Sequence, residues 1–364
     1  MSSTFDTARY EVADMTASGP AAVNRAFENQ VAYCRDNGAI ITAGICDVLR
    51  SLLPPGSGGG EVMERVRTWT GPALAGALPL RVAGGLHGSY LAGVAPELEP
   101  VYKHGTVQAE LIRTALERHE TFLLPWLDGP PQTNEAGRSW AYVAALAWLT
   151  ARGFGPRFAL YELGSSAGIN LMLERYRYTL GAFERGPIDS AIHIAPEWRG
   201  RKLEGKPFDI VSTEGCDVAP VDLKDEDDAL RLTAYIWPEF EQRFTRMEAA
   251  IRFASEQSPN IARTTAAHYV DRVLAAPAVS GTMRVVMHSV VWQYLDTDEK
   301  ARIASAIERA GARASSDTPL AWISLEANRD SHRHELSLRY WPGGGEARTL
   351  GEAHPHGAWV RWRG

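Results

Sequence analysis

The residues best suited to chemistry lie in one short stretch, 161–170, where a carboxylate precedes two glycines. Glu162 follows the apolar run 157–160 near the end of a predicted strand, 157–163, and Gly164 and Gly168 come after it, separated by two serines and an alanine. The apolar run predicts a buried strand, and the segment from Leu171 onward predicts a helix. A strand, a glycine-rich turn and a helix present backbone N–H groups and one carboxylate to a small ligand.

The pattern acid-x-Gly-x-Gly-x-Gly is the first motif of class I methyltransferases, and Glu162-x-Gly164-x-Ser166-x-Gly168 resembles it. Gly164 is expected to make the tight turn and Gly168 to let the helix approach the strand. A carboxylate attracts an ammonium group and repels a pyrophosphate, so we expect S-adenosylmethionine rather than a dinucleotide. The predicted cofactor-binding residues are Glu162, Gly164, Ser165, Ser166, Gly168, Asn170, Asp217, Thr265, His288 and Ser289.

Later strand ends supply the rest of this predicted site, because ligands of open α/β sheets bind beyond the carboxyl ends of the strands. Asp217 is the candidate for the ribose hydroxyls, with Asp222 as second choice; a turn aspartate is the structural alternative. Thr264 and Thr265 follow the third predicted strand, near the expected adenine.

The fourth predicted strand, 283–288, ends in further polar side chains. The predicted reaction site contains His288, Ser289, Gln293 and Tyr294, with His288, Gln293 and Tyr294 as the catalytic candidates. His288 suits a general base if the acceptor must lose a proton. A histidine satisfied in the core is the alternative, and methyl transfer is mainly a matter of positioning.

Seven segments resemble an uncharacterised bacterial family of unknown function over nearly the whole chain. They are residues 80–93, 132–139, 162–171, 176–178, 215–223, 237–239 and 286–295. The resemblance implies a class I methyltransferase fold but brings no established reaction, so a non-catalytic ligand-binding protein stays open. The resulting candidates for a substrate pocket are Gln132, Asn134, Glu135, Arg138, His87 and Trp292. Helix capping is the alternative role for Asn134.

The order of elements predicts an α/β protein with two parts. Residues 18–150 are expected to form a helical N-terminal cap domain over the cofactor, in which Gly84, Gly88 and Ala92 share one helix face. Residues 156–364 are expected to form a Rossmann-like methyltransferase domain. Its sheet is predicted to be mostly parallel, with an antiparallel C-terminal edge and an inserted hairpin at about 178–205.

Two rival interpretations use other residues. Gly164-Ser165-Ser166-Ala167-Gly168 matches G-x-S-x-G, the serine hydrolase elbow, with Asp296 and His354 as partners of Ser166. Against it, the residues upstream look helical, and Glu162 would place a negative charge near the oxyanion. Paired histidines, 332 with 334 and 354 with 356, suggest a weaker zinc alternative.

Composition limits the remaining functions. The chain has 364 residues, a net charge of −6 and three cysteines without a CxxC pair. The negative charge disfavours a nucleic-acid partner. The sequence has no secretory signal pattern and no apolar run of about 18 residues. We therefore expect a cytoplasmic enzyme with a small or medium acceptor, no membrane span and no metal; the acceptor and the oligomeric state are not readable.

Overall fold

A computed structural model describes residues 16–328, 333–354 and 357–364. The helices, in chain order, are α1 Pro20–Asp36, α2 Ile40–Ser51, α3 Gly60–Arg67, α4 Leu78–Leu91, α5 Glu99–His104, α6 Ala109–Arg118, α7 Glu120–Leu123, α8 Trp140–Ala151, α9 Glu226–Ala234, α10 Glu241–Glu256, α11 Ala266–Ala275 and α12 Thr297–Gly311. The strands are β1 Arg157–Leu163, β2 Arg177–Leu180, β3 Phe183–Arg185, β4 His193–Ile194, β5 Glu197–Gly200, β6 Asp209–Asp217, β7 Ile261–Arg263, β8 Thr282–Ser289, β9 Leu320–Asn328, β10 Arg333–Trp341, β11 Arg348–Ala353 and β12 Trp359–Trp362.

The chain forms two compact units. Of the described residues, the first unit contains those from 16 to 133 together with Asp225–Thr245, and the second contains those of Asn134–Lys224 and Arg246–Gly364. This division differs from the predicted one in two respects. Helix α8 belongs to the sheet-containing unit, and the segment around α9 belongs to the helical unit.

The first unit is helical, and its core is built from apolar residues at helical spacing. On α1, Val23, Phe27 and Val31 are all buried in one cluster with residues of α2 to α6. Helix α4 packs closely through its glycines. A Cβ added at Gly84 would overlap the ring of Tyr235, and one at Gly88 would overlap Trp126. Close packing therefore accounts for glycines that would otherwise weaken a helix.

The second unit is built on a nine-stranded mixed sheet with the order β5-β12-β11-β10-β9-β8-β1-β6-β7. Strands β7, β6, β1, β8 and β9 are parallel, whereas β10, β11 and β12 each run antiparallel to the strand before. Across the sheet, these five strands stand in the order β7-β6-β1-β8-β9, so that the first of them along the chain, β1, lies in the middle. The connections reverse direction beside β1, and such a switch point is where open α/β sheets bind ligands.

Both faces of this sheet are covered by helices. Leu163 packs in a cluster with Val270 of α11 and Ile303 of α12. Its neighbour Glu162 contacts Tyr142 of α8. Since successive strand residues point to opposite faces, α8 lies on one face and α11 with α12 on the other.

The antiparallel part of the sheet contains more strands than predicted. The sequence patterns at 320–325, 335–340 and 358–363 predict strands, which the structure confirms as β9, β10 and β12; they do not predict β11. The expected hairpin is present as β2 and β3, which form a small sheet with β4. Strand β5 leaves that region and pairs in parallel with β12 at the edge of the main sheet.

The segment after the glycine loop is not the α-helix that the sequence predicts. Ile169–Arg175 is a 3-10 helix, and the chain is extended again at Tyr176. The Tyr176 hydroxyl donates a hydrogen bond to the Ile169 carbonyl at 2.5 Å, which folds the segment back on itself. The loop therefore does not open into a full α-helix.

Within the described part of the chain, none of the helices combines the length and apolar character that a membrane span requires. The three cysteines, Cys34, Cys46 and Cys216, are buried free thiols.

Candidate functional site

Glu162, at the end of β1, is the centre of a buried polar cluster. Its side chain is 2% exposed. Oε1 accepts hydrogen bonds from Asn170 Nδ2 at 2.9 Å and from the Tyr142 hydroxyl at 3.4 Å. Burial raises the pKa of Glu162 to about 8, although the two hydrogen bonds and the charge of Arg138 oppose the rise. The carboxyl group therefore holds its proton near neutrality unless a cation is placed against it.

Three buried oxygens around this cluster have no hydrogen-bond partner among the described residues: Glu162 Oε2, Asn170 Oδ1 and Asn134 Oδ1. The amide orientations are fixed, because Asn170 Nδ2 faces a carboxylate and Asn134 Nδ2 faces the Ser165 carbonyl at 2.5 Å. The Ser165 carbonyl oxygen can only accept a hydrogen bond, and Glu162 Oε1 accepts one here, so each amide turns its nitrogen toward its partner. When Glu162 is ionised, the site thus collects three acceptors that need donors, and leaving them unsatisfied costs free energy.

The loop after β1 is a tight left-handed turn. Gly164 has φ +65° and Gly168 has φ +70°. A Cβ at Gly164 would overlap Val291, and one at Gly168 would lie 2.5 Å from Pro259 Cβ. Both positions therefore require glycine for conformation and for space.

Ser166 also has a left-handed backbone, with φ +51°. Its N–H donates to Asp217 Oδ2 at 2.8 Å, and its carbonyl accepts from the Val221 N–H at 3.2 Å. Ser165 is fully buried, and its hydroxyl donates to the Glu162 carbonyl at 3.1 Å. The serines are therefore built into the loop through hydrogen bonds on both sides.

Asp217 lies at the end of β6 and holds this loop. Its second oxygen, Oδ1, accepts from the Ala219 N–H at 2.9 Å, which closes a local turn. The structural role as a turn aspartate is thus present, and the contact with a ribose stays a prediction. Asp222, the second choice, accepts from the Lys224 N–H at 3.0 Å.

The end of β8 carries a second polar group, centred on His288 and Glu326. His288 is 1% exposed, and its Nδ1 lies 2.7 Å from Glu326 Oε1. Its Nε2 is buried without a partner among the described residues. The ring stacks on Trp292 at 5.0 Å. The base role stays a prediction for a side chain so well enclosed.

Glu162 and His288 leave the sheet on opposite faces. Strand pairing aligns Glu162 with Met287, so the next residue, His288, faces the other way. Ser289 returns to the Glu162 face, where it hydrogen-bonds Tyr142. The two polar groups therefore share the carboxyl edge of the sheet but not one face.

The other predicted residues of this edge are less enclosed. Gln293 and Tyr294 are exposed, with Tyr294 at 62%. Thr265 caps α11 by accepting from the His268 N–H at 3.4 Å. The Thr264 N–H donates to the Asp217 carbonyl at 3.0 Å, which ties β7 to β6.

The segment before α8 has a different arrangement from the predicted cap. Glu135, not Asn134, caps the 3-10 turn Ala136–Ser139, because its carboxylate accepts from the Gly137 N–H at 3.0 Å. Glu135 also binds Arg246 Nε at 3.0 Å. Asn134 instead reaches the glycine loop, and Arg138 is buried close enough to Glu162 to affect its pKa.

Gln132 and His87 belong to the helical unit. Gln132 is half-buried. His87 is buried, with Nδ1 2.9 Å from the Ala234 carbonyl oxygen, and its ring stacks on Tyr102. Burial lowers the pKa of His87 to about 4, so the ring is neutral. These contacts describe a core histidine, and its substrate role stays a prediction.

Three residues of the site were not predicted. Tyr142 reads in the sequence as one apolar position of α8, and Glu326 as an ordinary charge on an alternating strand. The sequence suggests His334 only as a metal ligand; it lies in β10, where burial and the charge of Arg138 lower its pKa to about 4. Only the fold brings these side chains to the edge next to Glu162.

The residues of the rival interpretations are placed as follows. The Asp296 carboxylate caps α12 by accepting from the Glu299 N–H at 2.7 Å. His332 and His356 lie outside the described residues. Among the residues that the structure describes, no group of three or more His, Cys, Asp or Glu could hold a metal ion.

The geometry defines an α/β protein with a polar site at the carboxyl edge of its parallel strands. The family model described as "Uncharacterized protein conserved in bacteria (DUF2332)" matches residues 24–362, so the chain belongs to that bacterial family. No curated protein and no solved structure shows a significant match.

Proposed function

We propose that this protein is an S-adenosylmethionine-dependent methyltransferase acting on a small or medium acceptor. The supporting observation is the set of three buried acceptor oxygens around Glu162. An ammonium group has three N–H donors and a positive charge, and it would satisfy both the oxygens and the carboxylate. The amino-acid end of S-adenosylmethionine carries such a group.

The loop also favours this cofactor over a dinucleotide. Dinucleotide sites place a pyrophosphate at the N-terminus of an α-helix. Here a 3-10 helix of seven residues follows the loop, and Glu162, which is negative once it is ionised, would stand where a phosphate approaches. Both features disfavour a second negative charge.

The remaining residues would hold the nucleoside. Gly164, Ser165, Ser166 and Gly168 would supply backbone around it, and Asp217 would use its remaining lone pairs for the ribose hydroxyls. Val218, directly after Asp217, is 66% exposed and offers an apolar surface for the adenine. Thr265 would lie beside the base.

S-adenosylmethionine supplies a methyl group on a sulfonium sulfur, which is reactive enough that positioning of the acceptor is the main requirement. Ser289, Trp292, Gln293 and Tyr294 would face the acceptor, together with Arg138. His288 would accept the proton of an acceptor that must lose one. We further propose a cytoplasmic location, in keeping with three unpaired cysteines.

Calorimetry with S-adenosylmethionine and S-adenosylhomocysteine tests the proposal. Both should bind, and affinity should rise with pH up to about pH 8, because the cation needs the carboxylate of Glu162 and the pKa of that group is about 8 in the free protein. The expected slope is about tenfold in affinity per pH unit below that value.

Glu162→Gln should weaken binding and abolish this pH dependence, and Asp217→Asn should weaken binding at every pH. The matched control is Glu346→Gln, the same change at an exposed residue. Absence of measurable affinity for either compound in the intact protein would refute the proposal.

A serine hydrolase is the second candidate, supported by one observation. Ser166 has a left-handed φ of +51° directly after a parallel strand, as the strained turn of a nucleophile elbow requires. A fluorophosphonate that labels the protein, with labelling lost in Ser166→Ala but retained in Ser165→Ala, would support it. No labelling of the intact protein would remove it.

A further inference from the structure

A single carboxylate oxygen organises the segment that follows β8. Glu326 Oε1, on the neighbouring strand β9, lies 2.7 Å from His288 Nδ1. The same oxygen accepts hydrogen bonds from the N–H groups of Val291 at 3.1 Å and Trp292 at 3.2 Å. Three donors on one oxygen fix the position of the chain between residues 288 and 292.

The backbone held in this way is strained. Val290 has φ +56°, a conformation that is rare for a β-branched residue. Its N–H donates to the Leu325 carbonyl at 3.0 Å. Such a conformation persists only where the surroundings impose it, and strained residues concentrate at functional sites. Glu326 and Leu325 are the residues that impose it here.

The strained segment presses against the glycine loop. Val291 occupies the space that a Cβ at Gly164 would need, so the Val291 side chain lies directly on the turn after β1. Gly164 is the residue at which that turn becomes left-handed. The position of Val291 therefore limits the shape of the loop that carries Ser165 and Ser166.

The electrostatic surroundings of Glu326 favour its ionised form. Burial alone would raise the pKa of Glu326. The hydrogen bond and charge of His288, with the two backbone N–H groups, outweigh burial and lower that pKa below its usual value. Glu326 is thus an ionised acceptor, and its hydrogen bonds are stronger than those of a neutral group.

We propose that Glu326 is a positioning residue: by holding His288, Val291 and Trp292, it keeps Val291 against Gly164 and so fixes the glycine loop in its ligand-binding shape. This inference rests on the proposed function for the identity of the ligand. The contact between the two loops is independent of it.

The experiment compares Glu326→Gln with Glu335→Gln. Glu335 is the strand-pairing partner of Glu326 on β10, so the control makes the same change on the same face of the sheet. Hydrogen–deuterium exchange by mass spectrometry is read for peptides covering 160–172 and 288–296. Calorimetry with S-adenosylhomocysteine measures affinity, and thermal unfolding shows whether each variant stays folded.

Glu326→Gln should speed hydrogen–deuterium exchange in both peptides. It should also weaken the binding of S-adenosylhomocysteine by about tenfold, the effect of losing one charge-assisted hydrogen bond. Glu335→Gln should change neither. Combining Glu326→Gln with Val291→Ala should weaken binding little beyond the larger single effect, since both changes act through one contact. Glu326→Asp, which keeps the charge, should recover part of the affinity.

Unchanged exchange in the 160–172 peptide would overturn the inference, and so would unchanged affinity despite faster exchange. If the intact protein binds neither S-adenosylmethionine nor S-adenosylhomocysteine, the proposed function fails. The exchange of the 160–172 peptide then decides the inference alone. If Glu326→Gln fails to fold, Glu326→Asp and Val291→Ala give the same two readouts.

Discussion

At the scale of single residues, the site is defined by acceptors that lack donors. Proteins rarely bury a carboxyl group without pairing it, and Glu162 has a partner for only one of its two oxygens among the described residues. Protonation lowers the cost of burial, and this is the physical reason for its raised pKa. The same property makes stability depend on pH.

Glu162→Gln should remove a pH-dependent loss of stability. The pKa of Glu162 is raised from 4.5 to about 8, so between these values the folded chain holds a proton that the unfolded chain has released. The free energy of unfolding therefore falls by about 1.4 kcal/mol per pH unit in this window and levels off above it. Urea unfolding at about pH 5, 6.5 and 8 should show the variant gaining on the wild type as pH rises.

The control for this change is Glu346→Gln, whose side chain is exposed. Its free energy of unfolding should follow that of the wild type at each pH. A Glu162→Gln curve parallel to the wild-type curve would show that the carboxyl group of Glu162 titrates normally.

At the scale of elements, β1, β8 and the glycine loop were predictable, because a continuous apolar run bounded by glycine indicates a buried parallel strand. Strand β11 was not predictable, because Arg348–Ala353 contains charged residues and a glycine and has no clear apolar pattern. Its residues are buried only because the neighbouring strands β10 and β12 pair with it. The 3-10 segment after the loop was also missed. Its apolar residues fit an α-helix, but the fold of Tyr176 onto Ile169 prevails.

Within the loop, Gly168→Ala should destabilise the protein more than Gly281→Ala does. The two glycines have nearly equal backbone angles, φ +70° and +69°, so the left-handed penalty of about 1–2 kcal/mol is shared. Only Gly168 is crowded, with Pro259 Cβ at 2.5 Å and Ile261 Cδ1 at 2.9 Å from the added atom. The crowding should add about 1–3 kcal/mol to the loss.

Urea unfolding of the two variants at one pH gives this difference directly. Equal losses would mean that Pro259 and Ile261 move aside without cost. The loop would then be less tightly fixed than its contacts indicate.

At the scale of the whole molecule, the chain returns to its helical unit after building part of the sheet. Trp237-Pro238 interrupts the helical pattern of the sequence, and in the structure α9 ends at Ala234 and α10 begins at Glu241. The membership of Asp225–Thr245 in the helical unit was not visible. It depends on contacts between residues far apart in sequence, such as Tyr235 against Gly84, which local patterns do not encode.

Glu239→Gln should therefore weaken the helical unit at a distant helix start. Glu239 Oε1 accepts from the N–H groups of Ile41 at 2.5 Å and Thr42 at 3.1 Å, so it caps α2, which has no side-chain cap of its own. Glu239→Gln should lower the free energy of unfolding by about 1–2 kcal/mol, because the glutamine amide carries no negative charge at the positive end of helix α2. Hydrogen–deuterium exchange should become faster in α2, whereas Glu241→Gln, an exposed change two residues away, should leave it unaltered. If α2 exchanges at the wild-type rate in both variants, the cap contributes nothing and the returning segment is held by its aromatic contacts alone.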